Sequence, residues 1–106
     1  MIYKAWHSNG VTGYVRANHY TAMDYVRAYV KYKDAGGWWT SYYYIGSDTT
    51  PTTSGDYYLS WSIRPGYVQM RVYVKAYDSA NHYLGSDTYY VSLPTGGGDP
   101  PPPPID

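Results

Sequence analysis

The 106-residue chain contains no cysteine, no phenylalanine and no glutamate, and each absence narrows its class. Without cysteine there is no disulfide framework and no paired thiolates for a metal, while the redox compartment stays open. Without glutamate all eight acids are aspartate, which favours turns and caps over helix interiors. Sparse leucine, alanine and glutamine add to the case against helix. No apolar run reaches the ~20 residues of a membrane span, so a soluble chain with no membrane insertion is expected. Eight Lys and Arg balance the eight Asp, so bulk charge points to no nucleic-acid partner.

What the chain has instead is tyrosine: seventeen, beside four tryptophans. Tyrosine joins an apolar ring to a hydroxyl that needs a partner or water. A domain that needed only a greasy core would use some phenylalanine. Much of this aromatic surface is therefore expected where water or a ligand reaches it, as in a binding or adhesive module. The length allows one domain with a core that needs no metal or disulfide.

Seven segments alternate in the manner of strands. They run 2–6, 13–18, 24–33, 38–45, 57–63, 67–78 and 83–93, with breakers at 8–10, 34–37, 46–55, 64–66 and 78–81. Short strands at such spacing are the signature of an antiparallel sandwich or barrel. The stretches Tyr29–Trp38 and Tyr73–His82 echo one another, each a strand running into an Asp-led turn. Two similar hairpins account for the echo better than a repeat, because no period is sustained.

The organisation changes near Leu93. Residues 1–93 are patterned; 94–106 combine a glycine triplet with five consecutive prolines. That tail reads as a disordered Gly/Pro-rich linker to a covalently attached downstream domain, a spacer more than a ligand for proline-reading domains. At the other end Met1 leads straight into Ile2, as expected of a domain taken from within a longer chain. There is no Asn-x-Ser/Thr sequon.

The stretch Arg71–Leu93 holds a Val-x-Val-x-Ala-x-Asp strand, an Asp-Ser-Ala-Asn turn and a Ser-containing last strand. It resembles the last two strands of fibronectin type III and other immunoglobulin-like modules. Met70 stands where that family places its corner tyrosine, which favours the wider immunoglobulin-like class. The resemblance implies an all-β, seven-stranded antiparallel immunoglobulin-like sandwich. It also implies a secreted or cell-surface bacterial setting, where such modules precede proline-rich linkers.

Side chains alternate across a strand. In 24–33 one face carries Val26, Ala28, Val30 and Tyr32; the other carries Tyr25, Arg27, Tyr29, Lys31 and Lys33. In 67–78 one face carries Val68, Met70, Val72, Val74 and Ala76; the other carries Tyr67, Gln69, Arg71, Tyr73, Lys75 and Tyr77. In the immunoglobulin-like arrangement these two strands are neighbours. Their outer faces then merge into one Tyr–cation surface, extended by Trp38, Tyr42 and Tyr44. The candidate binding residues are accordingly Tyr25, Arg27, Tyr29, Lys31, Trp38, Tyr42, Tyr44, Arg71, Tyr73, Lys75 and Tyr77. Asp34, Asp48, Asp56, Asp78 and Asp87 are expected at turns. Of Trp38 and Trp39 one is expected in the core and one outside; Trp61 reads as core, and Trp6 fits either face.

Catalytic patterns are missing. The three histidines, His7, His19 and His82, lie far apart without metal-ligand spacing, so no metal or cofactor is expected. The Asp-led turns could supply oxygen ligands to calcium, but their Asp residues are separated singletons of a kind that turns favour anyway, and no two suggest a glycosidase pair. The polar loop 46–55 suits a glycosylated or ligand-covering loop as well as an ordinary crossover. Non-enzymatic readings follow. One is an accessory module that binds a polysaccharide or cell-wall glycan through its aromatic face. Another is a protein assembly, adhesion or self-association domain using the same tyrosines. The third is a passive spacer whose Tyr–cation pairs only stabilise a wet sheet.

Overall fold

Strict alternation of small aliphatic and polar residues produces the two central strands, because only an extended chain places every second side chain on one side. The computed structural model describes residues 2–18 and 20–94. Its strands are β1 (Ile2–Ser8), β2 (Thr12–Asn18), β3 (Tyr25–Lys33), β4 (Tyr43–Asp48), β5 (Tyr57–Ser62), β6 (Gln69–Tyr77) and β7 (Tyr83–Ser92). Among the described residues the fold is all-β. A three-stranded sheet has the order β1-β2-β5 and a four-stranded sheet the order β4-β3-β6-β7, every pairing antiparallel. The two sheets face one another as a β-sandwich.

The core lies between the layers. Val26, Ala28, Val30 and Tyr32 of β3 and Met70, Val72, Val74 and Ala76 of β6 are all buried. Ala5, Val15, Ala17 and Tyr57 meet them from the smaller sheet. Each buried valine contributes about 1.5–3 kcal/mol relative to exposure. Hydroxyls cross the gap as well: Tyr3 donates to the Val72 carbonyl at 2.8 Å. Tyr57 donates to the Met23 carbonyl at 2.9 Å. The Trp61 indole lies directly on Gly13, where a Cβ would overlap the ring. Trp61 thus packs against the core, as its alternation with Tyr57 and Ile63 implied.

The echoing hairpins share one device. Asp34 Oδ1 accepts the N–H groups of Gly36 and Trp38 at 2.9 and 3.0 Å. Asp78 Oδ1 accepts those of Ala80 and His82, both at 2.9 Å. In each turn the carboxylate satisfies the donors two and four residues on, which is why Asp leads both.

Several expectations need correction. The fourth strand starts at Tyr43, not Trp38, and continues to Asp48 into the presumed loop. A register shift opposite Ala28/Tyr29 allows this. Tyr44 pairs with Tyr29 and Gly46 with Ala28, so Ile45 is the extra residue of a bulge. Gly46, at φ 151, takes a conformation that a side chain would resist. The sixth strand begins at Gln69; Tyr67 stacks on buried Tyr32 at 5.1 Å instead of joining the outer face. Asp48 closes β4 and Asp87 lies within β7, so neither stands in a turn. The expected linker, beyond Pro94, and His19 lie outside the described residues.

Candidate binding face

β3 and β6 pair along their whole length: Tyr25 with Tyr77, Arg27 with Lys75, Tyr29 with Tyr73, Lys31 with Arg71, Lys33 with Gln69. The edge-to-edge arrangement expected of the third and sixth strands is therefore present. Because the intervening residues are buried, these pairs all stand on the outer side of the four-stranded sheet. The face is banded. From Tyr25/Tyr77 to Lys31/Arg71, ring pairs and cation pairs alternate every second residue, about 7 Å apart along the strand.

The rings contact one another across strands. Tyr25 and Tyr77 stack at 5.0 Å and 11°. Tyr29 meets Tyr44 at 5.5 Å and Tyr73 at 6.2 Å, while Tyr42 meets Tyr73 at 5.8 Å. The cations lie over these rings. Arg27 sits 5.2 Å from the Tyr77 centroid, Lys31 5.0 Å from that of Tyr42, and Lys75 5.8 Å from that of Tyr73. Such contacts hold flexible side chains in place at about 0.5–1 kcal/mol each.

Charge on this face has one sign. Arg27, Lys31, Lys33, Arg71 and Lys75 are five of the chain's eight cations. By register Asp48 stands opposite Val26 and Asp87 opposite Val74, both on the inward side. Asp24, just before β3, shares the inward parity of Val26, Asp56 accepts from Asn18 of the smaller sheet, and Asp34 and Asp78 occupy turns. Among the described residues, then, no acid stands on the face. Arg27 faces Lys75 and Lys31 faces Arg71 directly, an arrangement that costs stability in a sheet. The Tyr25 phenol, ahead of Tyr77, Tyr29 and Tyr44, raises the Arg27 pKa further above its ordinary value. Burial pushes the Tyr42 hydroxyl up, so it remains a neutral donor.

Of the eleven candidates, Tyr25, Arg27, Tyr29, Lys31, Arg71, Tyr73, Lys75 and Tyr77 come together on the paired strands. Tyr42 and Tyr44 join them through ring contacts, and Tyr43 turns inward against Tyr32 at 6.1 Å. Trp38 does not extend the ladder from a fourth strand. It is 77% exposed at the end of the Asp34 turn. Trp39 takes the place on the face, bridging to Lys33, with Lys31 over its ring at 5.3 Å. Neither of these tryptophans is in the core. Two further rings come from β7: Tyr90 beneath Arg71 at 5.5 Å, and Tyr83 against Tyr77 at 6.1 Å. The aromatic doublet Tyr89-Tyr90 was a signal for one of them, but nothing aliphatic in Gly85–Thr88 fixes which ring faces out.

Trp6 goes to the opposite exterior, stacked on Tyr14 at 5.5 Å on the three-stranded sheet. Elsewhere a shallow recess of about 270 Å³ is lined by Tyr20, Met23, Pro51 and Tyr57. His7 accepts the Gly10 N–H, and His82 contacts Asp78 at 3.2 Å. Among the described residues no three His or Asp side chains gather as a metal site would require. Among the described residues no helix is long and apolar enough to cross a membrane. Comparison with protein-family models, curated proteins and solved structures finds no match.

Proposed function

We propose that the chain is a non-catalytic immunoglobulin-like module that binds a polysaccharide or cell-wall glycan on the outer face of its four-stranded sheet. It would serve as an accessory domain of a secreted or cell-surface protein. The strand order, with β1, β2 and β5 in one layer and β4, β3, β6 and β7 in the other, supports the immunoglobulin-like part of this reading. A single observation carries the binding part. Rings from four strands and the adjoining Trp39 lie side by side on one exterior, with Tyr44 59% exposed and Tyr42 39% exposed. Flat rings stack on the apolar faces of sugars, while phenol hydroxyls and cations orient the polar edges.

The test is affinity electrophoresis through gels containing soluble polysaccharides. The wild-type chain should be retarded by at least one polymer, and a Tyr29→Ala, Tyr73→Ala, Trp39→Ala variant should run free. Retardation that survives in the triple variant rejects this face. A protein partner is the second reading, favoured by the exposed Tyr83 and Tyr90 on edge strand β7. Sedimentation that stays monomeric at high concentration would remove self-association from it.

A further inference from the structure

We infer that the polymer is an anionic glycan, with its carboxylate or sulfate groups bridging the opposed cation pairs Arg27/Lys75 and Lys31/Arg71. This rests on the glycan reading above and adds charge to it.

Two observations carry the inference. First, like charges stand directly opposite in two successive cation rows, with backbones about 5 Å apart, and such pairs destabilise a sheet. An anion between the members of each pair removes that repulsion, so binding gains what folding loses. Second, no acid among the described residues stands on the face to do the same from within the chain.

The bands also define a track. The two cation rows are four residues apart, about 14 Å along the strands, with Tyr29 and Tyr73 between them. A linear polymer lying parallel to β3 and β6 meets positive charge, then rings, then positive charge again. A sugar chain with regularly spaced acidic groups fits that order. Polyphosphates fit it less well. The chain as a whole has zero net charge and lacks the long-range positive field on which nucleic-acid affinity depends.

The experiment compares matched polymers by titration calorimetry: polygalacturonate against its methyl ester, and dextran sulfate against plain dextran. At least one acidic polymer should bind about tenfold or more tightly than its neutral partner. That preference should shrink as salt rises from about 0.05 to about 0.5 M. An Arg71→Glu, Lys75→Glu variant should lose the preference while keeping its thermal midpoint, since each new Glu faces a cation. Equal binding to acidic and neutral members overturns the anionic inference but leaves a glycan site. Binding to none of the four polymers overturns the inference, and the electrophoretic panel then decides the glycan reading separately. Equally tight binding of inorganic polyphosphate also overturns it, in favour of indiscriminate charge attraction.

Discussion

On the three-stranded sheet Lys4 faces Arg16 with exposed Tyr58 beside it, Trp6 stacks on Tyr14 with Ser60 beside it, and the next row is Ser8, Thr12 and Ser62. On the four-stranded sheet the same alternation of cations and rings repeats twice along β3 and β6, and its rings spread across every strand. The smaller face has one like-charged row and one stacked ring row, and of the two only the ring row stabilises the sheet. The larger face goes further and accumulates like-charge repulsion that cation–ring contacts, and no acid on the face, offset. Residue type alone therefore does not mark a docking surface; repetition with charge of one sign does. The smaller face is also a control within the molecule for any claim about net charge.

The largest expected difference comes from that control. Lys4→Glu with Arg16→Glu changes net charge as much as Arg71→Glu with Lys75→Glu. If the larger face is the site, the second pair should weaken binding of the preferred acidic polymer by about 100-fold, or ~2.7 kcal/mol. The first pair should change it less than about twofold. Similar losses in both would erase the distinction between the faces. Next in size is Gly13→Ala, which breaks only the smaller sheet. A Cβ there collides with the Trp61 indole. Chemical denaturation should show a loss of about 1–3 kcal/mol, with polymer affinity of the folded fraction unchanged. A variant that kept full stability would show that Trp61 is free to move aside.

Smaller again is a contrast inside the large face. Tyr25 and Tyr77 are close and nearly parallel, whereas Tyr29 and Tyr73 are 6.2 Å apart and tilted by 37°. A double-mutant cycle to Ala should give the first pair a coupling of about 0.5–1.5 kcal/mol and the second clearly less. If the Tyr29–Tyr73 pair proves the more strongly coupled, its rings serve the fold first and the glycan track loses its centre.

How far these features were legible in the chain depended on whether alternation had an aliphatic reference. In β3 and β6 the series Val26-Ala28-Val30 and Val72-Val74-Ala76 left one parity open, so strand, pairing and outer residues all followed. In 38–45 the reference was aromatic on both sides, Trp38-Trp39 and Tyr42-Tyr43-Tyr44. Parity there could slip, and the Asp34 turn used up Trp38 before the strand began. β7 offered only Gly85, Ser86, Asp87 and Thr88 between its tyrosines, so neither Tyr90 on the face nor Asp87 facing inward could be assigned. The bulge at Ile45 was hidden for a related reason. It depends on Gly46 adopting positive φ opposite β3, a choice set by the partner strand and not by neighbours in sequence.

Phenol titration sharpens the contrast between interior and exterior, with an effect that is nil at neutral pH and appears only in alkali. Burial first, and then nearby Asp87, pushes the Tyr3 hydroxyl well above its ordinary 10.0. Burial likewise raises Tyr32 and Tyr57. A group whose pKa is higher folded than unfolded gives its full stabilisation below the unfolded value. Above about 10 the unfolded chain releases these protons while the folded chain retains them, so stability falls as pH rises. Thermal midpoints should therefore decline above about pH 10, and less steeply for Tyr3→Phe, which has no proton to lose. That variant also gives up the bond to the Val72 carbonyl, so it should start lower at neutral pH and converge on the wild type in alkali. Parallel curves for the two chains would mean that Tyr3 ionises as freely in the sandwich as outside it. The hydroxyl placed between the sheets would then have to be reached by water.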